Sequence, residues 1–151
     1  MDTKQKLKMR GKFNIAVLDE NDNLKYEKEV TNTIMNAGLA EVSGLILNDI
    51  GGNAFDYLAL GTGTTAPTAT QTTLVAEKYR SAGTGSQTTT TVSNDTAQLT
   101  TSIAMTASDD LTEVGILNSS STGDLLARTT YSAVTVADGD TVNLGYSVAF
   151  S

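Results

Sequence analysis

The chain has 151 residues and a net charge of −7, and its length is typical of a single domain. It contains no cysteine and no histidine, so disulfides, thiol chemistry and the serine–histidine and cysteine–histidine nucleophile systems are excluded. The common zinc and copper ligands are missing as well. We therefore expect neither enzymatic activity nor a bound cofactor.

The composition limits the kind of core that the chain can build. Aromatic residues make up 5% of the chain and tryptophan is absent, although 39% of the residues are hydrophobic. The core must therefore consist mainly of valine, leucine, isoleucine and alanine. Threonine is abundant, with a run at 88–91, and this β-branched residue favours strands over helices.

Basic residues are concentrated at the N-terminus. Residues 2–12 contain five basic side chains and one aspartate, a net charge of +4, which leaves −11 for the rest of the chain. The five are Lys4, Lys6, Lys8, Arg10 and Lys12. Their two-residue spacing puts them on one face of an extended strand. We predict an extended basic arm over 1–12 that binds an acidic partner, with a solvated, frayed terminus as the alternative.

Two kinds of partner are not expected. The acidic body disfavours nucleic acid through repulsion of its phosphates. No secretory signal follows Met1, and no apolar run approaches the length of a membrane span. The sequence therefore predicts synthesis in the cytosol and no membrane partner.

The first part of the chain predicts a hairpin and a helix. Apolar residues alternate over 11–17, the polar cluster at 19–23 is typical of a turn, and a second strand is predicted over 24–31. Apolar residues then recur at helical spacing and predict a helix over about 34–48.

The rest of the chain predicts strands. A strand over 55–60 leads into a Gly-x-Gly turn, residues 71–80 form a short helical turn or an edge segment, and 81–86 form a loop. Further strands are predicted over 87–93, 97–107, 111–118, 124–131 and 141–150. Short strands at this spacing predict a mostly β fold with one α-helix, an antiparallel β-sandwich or barrel. We expect one β-rich domain over 13–151.

The glycine-rich turn at Gly61–Gly63 matches the loose dinucleotide pattern Gly-x-Gly-x-x-Gly/Ala, which ends here at Ala66. That pattern binds a pyrophosphate only when a helix follows it. Pro67 and the threonines after it form a poor helix. The glycines are better explained as a sharp backbone turn at the end of a strand.

Glu113 and Arg128 lie on adjacent predicted strands. They could form an ion pair across the sheet or between subunits. In either case the pair would have a structural role and not a catalytic one.

Several segments together resemble small structural proteins from the virions of tailed bacteriophages. They cover nearly the whole chain: the hairpin GKFNIAVLDENDNLKYE, the helix TNTIMNAGLAEVSGLI, the central stretch YLALGTGTTAPTATQTTLVAE and the C-terminal part from LTEVGIL to GYSVAF. The strongest pieces are ALGTGTTAP at 59–67, EVGIL at 113–117 and LLAR at 125–128. The resemblance is to a loose group of capsid decoration, tail and fibre proteins, not to an enzyme family.

The resemblance implies a function in virion assembly. Because the chain is short and has no repetitive shaft, it favours a capsid decoration (cement) protein that binds the outside of the head and stabilises it. The implied partners are the major capsid protein or other virion proteins, and further copies of the chain, with a trimer expected. The five basic residues would anchor the arm. The alternative is a tail protein, at a fibre tip or attached to the baseplate, that contacts the host or other tail subunits. The implied location is the virion, after synthesis in the host cytoplasm.

Overall fold

Two five-stranded antiparallel sheets face each other in the computed structural model, which describes residues 6–46 and 52–151. The sheets stay separate over the described residues, so the prediction of an antiparallel β-sandwich is confirmed and the barrel alternative is not. Within these described residues, one α-helix accompanies the sheets, as predicted.

The first sheet, sheet A, has the strand order β2-β1-β10-β7-β6. Its strands are β1 (Met9–Leu18), β2 (Leu24–Thr31), β6 (Thr84–Thr88), β7 (Thr96–Ala104) and β10 (Thr141–Phe150). The predicted hairpin is present, and β10 joins it to β7.

The second sheet, sheet B, has the strand order β3-β9-β8-β4-β5. Its strands are β3 (Thr33–Ile34), β4 (Tyr57–Gly61), β5 (Glu77–Ala82), β8 (Asp109–Leu117) and β9 (Leu125–Val136). The helix α1 (Asn36–Ile46) packs on β9. It begins later than predicted because Thr33 and Ile34 pair with β9 instead. The predicted end at residue 48 lies outside the described residues.

The core lies between the sheets and follows the alternation of the strands. Phe13, Ile15 and Val17 of β1 are each at most 1% exposed, and Phe13 packs on Tyr146 with ring centroids 4.7 Å apart. Leu111 and Val114 of β8 face them from sheet B and are fully buried. Aliphatic side chains dominate this core, as the composition predicts.

The basic arm is shorter than predicted. Strand β1 begins at Met9, and its first residues pair with the end of β10 in the register Met9↔Phe150 to Lys12↔Ser147. Lys8 and Ser151 also exchange two backbone hydrogen bonds of 2.7 and 3.1 Å. Residues 8–12 therefore belong to the sheet, and the boundary between arm and body lies before Lys8 rather than after Lys12.

The second difference concerns residues 77–88. The predicted loop at 81–86 is instead the junction between β5 and β6, two strands on the same side of the sandwich in different sheets. The bend falls at Gly83, where a Cβ would lie 2.7 Å from the Leu99 side chain. Residues 71–80 were predicted to form a short helical turn or an edge segment. The edge prediction is confirmed for 77–80, which belong to β5, an edge strand of sheet B.

The helix is fixed to sheet B through one glycine. A Cβ on Gly38 would lie 2.5 Å from the Cα of Leu126 and 2.8 Å from its carbonyl oxygen. We expect Gly38→Ala to lower the free energy of unfolding by about 1–3 kcal/mol, because the backbone of β9 must move. Gly44→Ala in the same helix, where nothing lies within 4 Å, should raise it by up to about 1 kcal/mol. Urea denaturation of both variants checks this, and a gain in both would contradict the close docking.

Candidate functional site

The most elaborate polar arrangement in the described residues is a buried ion pair between the two predicted partners. Arg128 of β9 pairs with Gly115 of β8, so its side chain reaches diagonally to Glu113 two residues away. Nε of Arg128 donates to Oε2 of Glu113 over 2.8 Å, and both side chains are 0% exposed. Nη2 lies 2.7 Å from the same oxygen as an ion contact without hydrogen-bond geometry. The structure thus forms this pair within one chain.

The carboxylate of Glu113 also binds the backbone of a long loop, residues 62–76. Its Oε1 accepts hydrogen bonds from the amides of Gly63 (3.0 Å) and Ala76 (2.6 Å). Its Oε2 accepts one from the amide of Val75 (3.0 Å). One buried carboxylate therefore holds both ends of the loop.

The guanidinium of Arg128 binds the middle of the same loop. Its Nη1 donates to the carbonyl of Thr65 and to Oε1 of Gln71, each over 3.0 Å. Oε1 of Gln71 also accepts from the amide of Thr68 over 3.1 Å. We call Glu113, Arg128 and Gln71 together the loop clamp.

The loop clamp explains the Gly-x-Gly turn. A Cβ on Gly61 or on Gly63 would lie 2.5 Å from Oε1 of Glu113. Any larger residue would therefore occupy the space of the carboxylate. The glycines bring the backbone close to an internal anion, which is the same physical requirement that a phosphate would impose.

The loop clamp has no open position for a ligand. Both charged groups are fully buried, and both oxygens of Glu113 already accept two hydrogen bonds each. Thr112 adds a further bond from its hydroxyl to the carbonyl of Gly63 over 3.0 Å. The arrangement therefore fixes a loop onto a sheet, and it offers no surface to a substrate.

The pKa of Glu113 reflects two opposing effects. Burial by itself raises the pKa, but the hydrogen bonds from Val75, Ala76 and Arg128 outweigh it and hold the pKa below its ordinary value. The ionised form is therefore stabilised by folding. That stabilisation is complete above the unfolded pKa of about 4.3 and is lost as the pH falls through the lower folded value.

We expect Glu113→Gln to reduce the dependence of stability on pH on the acid side. The midpoint of urea unfolding should fall less steeply between about pH 5 and pH 2 than in the unchanged protein, because one carboxyl with a lowered pKa is gone. A residual slope should remain from Asp19, Asp95 and Asp140, whose pKa values are lowered by hydrogen bonds. An acid slope equal to that of the unchanged protein would contradict the assignment.

Several other carboxylates serve turns or ion pairs with lysines. Asp19 accepts bonds of 2.9 Å from the amides of Asn21 and Asn23, which closes the β1–β2 turn. Asp140 accepts a 2.5 Å bond from Lys25, and Asp109 lies 3.6 Å from Lys78. Over residues 6–46 and 52–151, no group of three or more acidic side chains is arranged to hold a metal ion.

The predicted basic residues fall into two groups. Arg10 and Lys12 are exposed on the outer face of β1, and Lys12 pairs with Glu29 over 2.9 Å. Lys6 and Lys8 precede the strand and are exposed. Lys4 lies outside the described residues. The structure brings none of the four described residues to the loop clamp.

Sequence reasoning missed the role of Gln71 and of the loop amides. The amides carry no side-chain signal, so no residue pattern could have identified them. The close fit around Gly61 and Gly63 was the available clue, since paired glycines after a strand indicate that something approaches the backbone.

Comparison with known proteins adds no relative to this description. No family model, no curated protein and no solved structure matches the chain. In the part of the chain that the structure describes, no helix combines the length and the apolar character that crossing a bilayer requires.

Proposed function

We propose that this protein is a structural component of a tailed-bacteriophage virion, and that it decorates and stabilises the head. The resemblance of the sequence to small virion proteins supports the class. The geometry supports a binding role within that class. The buried polar side chains of the loop clamp hold a loop in place and offer no surface to a substrate.

The observation that carries the proposal is a row of exposed basic side chains on an acidic body. Lys8, Arg10 and Lys12 follow one another at strand spacing on the outer face of sheet A, and Lys6 precedes them. The chain as a whole carries −7. A cationic row on an anionic protein fits a partner with an acidic surface, and it directs the protein to bind in one orientation.

The body fits a role as a rigid attachment. Glu113 and Arg128 hold the loop at 62–76 through five hydrogen bonds, three to Glu113 and two from Arg128. A body whose longest loop is fixed loses little conformational entropy when it binds, which favours affinity.

Co-sedimentation with heads that lack the protein tests the proposal. We expect the unchanged protein to sediment with the heads, and Lys6→Glu/Lys8→Glu to bind at least tenfold more weakly, since it places four units of charge change on the proposed contact. The matched control is Lys28→Glu/Lys78→Glu, which makes the same charge change at other exposed lysines. Absence of binding by the unchanged protein, or equal loss in both variants, would argue against the proposal.

A tail protein is the second candidate, and one loop favours it. The carboxylate of Asp95 accepts 2.7 Å bonds from the amides of Thr90, Thr91 and Val92. This orders a threonine-rich loop and presents Val92 at 66% exposure. A preordered, exposed loop suits contact with a receptor. Immunogold labelling of virions separates the two candidates, because decoration predicts label over the head and the alternative predicts label on the tail.

A further inference from the structure

Strand β6 is a sheet edge without the usual protection against pairing. It pairs with β7 on one side, and the order of sheet A ends with it. Its sequence, TGSQT, has no charged residue and no proline, and four of its five residues are exposed. Exposed edges normally carry charges, bulges or very short strands, because their free amides and carbonyls can pair with another chain.

The other edges of the sandwich carry that protection. Strand β3 has two residues, and β5 has a bulge where it meets β4. Charged side chains occur on β2 at Lys25, Glu27, Lys28 and Glu29, and on β5 at Glu77, Lys78 and Arg80. Among the described edges, β6 therefore stands out as the one open to an added strand.

An apolar groove of about 310 Å³ runs beside the inner face of β6. Leu45 and Phe55 line one side, and Gly85, Leu99 and Phe150 line the other. A Cβ on Gly85 would meet only the carbonyl of Gln98, at 3.9 Å. The groove therefore has room for side chains from a strand that pairs with β6.

The N-terminal segment of this chain matches both features. Leu7 is 70% exposed, and it lies two residues before Met9, which itself lines the groove region of its own sheet. In residues 1–7 the odd positions are all uncharged and the even positions are all charged. Such a segment in a strand has one neutral face, which carries Leu7, and one charged face.

The segment cannot reach β6 of its own chain. A strand added beyond β6 lies four strand spacings from β1, roughly 19 Å at about 4.8 Å each. Pairing with all five residues of β6 uses five of the seven residues before Lys8. The remaining two span about 7 Å, far less than the distance they would have to cross. A β6 strand that receives this segment therefore belongs to a second copy of the chain.

We propose that β6 and its groove receive residues 1–7 of a second copy as an added strand, with Leu7 inserted in the groove. Backbone pairing supplies the attachment and the groove supplies the specificity, as in other cases of strand addition. The contact joins two different surfaces, so copies related by a suitable rotation close into a ring, and the trimer that the resemblance implies is one such ring. This contact rests on the proposed function and deepens it, because Lys4 and Lys6, on the other face of the segment, stay free to bind the head.

Two variants test the two sides of the contact. Leu7→Asp removes the inserted side chain, and Gly85→Leu fills the groove from within. Sedimentation equilibrium should show concentration-dependent association of the unchanged protein and at least a tenfold higher Kd for each variant. Val92→Asp and Gly44→Leu are the matched controls, since Val92 is 66% exposed and Gly44 has open space around it. Both controls should associate like the unchanged protein.

Mixing the two variants is the decisive measurement. The Gly85→Leu chain keeps a normal segment and the Leu7→Asp chain keeps a normal groove, so an equimolar mixture should form a one-to-one dimer that neither variant forms alone. No gain on mixing, or a monomeric unchanged protein up to about 1 mM, would overturn the proposal. Binding of monomeric Leu7→Asp to heads would leave the decoration function intact, so the two failures are distinguishable.

Discussion

Replacing Arg128 with methionine should lower the free energy of unfolding by about 3–5 kcal/mol, because it leaves the charge of Glu113 buried without its partner. Arg128 is 0% exposed and makes three hydrogen bonds through Nε and Nη1. The carbonyl of Thr65 and the side chain of Gln71 lose a donor at the same time. Urea denaturation followed by circular dichroism measures the change.

The double variant Glu113→Leu/Arg128→Met should not recover this stability. Replacing both members of a buried ion pair with apolar residues is often neutral or stabilising. Here, however, the amides of Gly63, Val75 and Ala76 would lose their acceptor. A buried amide without a partner costs about 1–3 kcal/mol. The amide of Gly63 is buried and those of Val75 and Ala76 are partly buried, so the loop must open to water instead.

The exposed pair of Lys12 and Glu29 is the matched control. Nζ of Lys12 and Oε2 of Glu29 lie 2.9 Å apart, close to the 2.8 Å of the buried pair, but both side chains are about half exposed. Lys12→Met should therefore change stability by less than about 1 kcal/mol. A double variant at 113 and 128 as stable as the unchanged protein would show that the loop does not depend on the carboxylate.

The sequence predicted the ion pair but not what it holds. Glu113 and Arg128 lie on neighbouring predicted strands, so their pairing can be inferred from the order of the strands along the chain. That their charges bind residues 62–76 depends on how this loop folds back over sheet B, and loop paths have no periodic signal. The glycines at 61 and 63 indicated a close approach without identifying the group that approaches.

The alternation of apolar and polar residues predicted the strands well where one face of the strand is buried and the other is exposed. Strand β10 alternates along its first part from Val142, and the predicted range 141–150 equals the observed one. Strands β5 and β6 have no such alternation, because they are edge strands in which none of the residues is buried; three of the six residues of β5 and four of the five of β6 are exposed. Their place in the fold comes from pairing with β4 and β7, which is a non-local property.

The N-terminal boundary was misplaced for a related reason. Lysines at every second position suit a free arm, but they suit the outer face of a central strand equally well. The inner positions of this segment are Met9 and Gly11, and neither gives a strong apolar signal. Gly11 is required there because a Cβ would meet the side chain of Asn32 at 2.5 Å as well as the hydroxyl of Tyr146.

A chain that begins at Phe13 should lose about 4 kcal/mol or more of its free energy of unfolding, whereas a chain that begins at Lys8 should keep it within about 0.5 kcal/mol. The longer deletion removes Met9–Lys12 from a strand that lies between β2 and β10. About five ladder hydrogen bonds disappear, each worth about 0.5–1.5 kcal/mol. The end of β10 would become a new, unprotected edge with apolar side chains such as Val148.

Thermal and urea unfolding of the two shortened chains measure this difference. Cooperative unfolding of the chain from Phe13 at the stability of the full protein would show that residues 8–12 are an independent arm after all. The comparison also decides how binding data on shortened chains must be interpreted. Loss of binding in the chain from Phe13 would report damage to sheet A, and only the chain from Lys8 isolates the contribution of the segment before the sandwich.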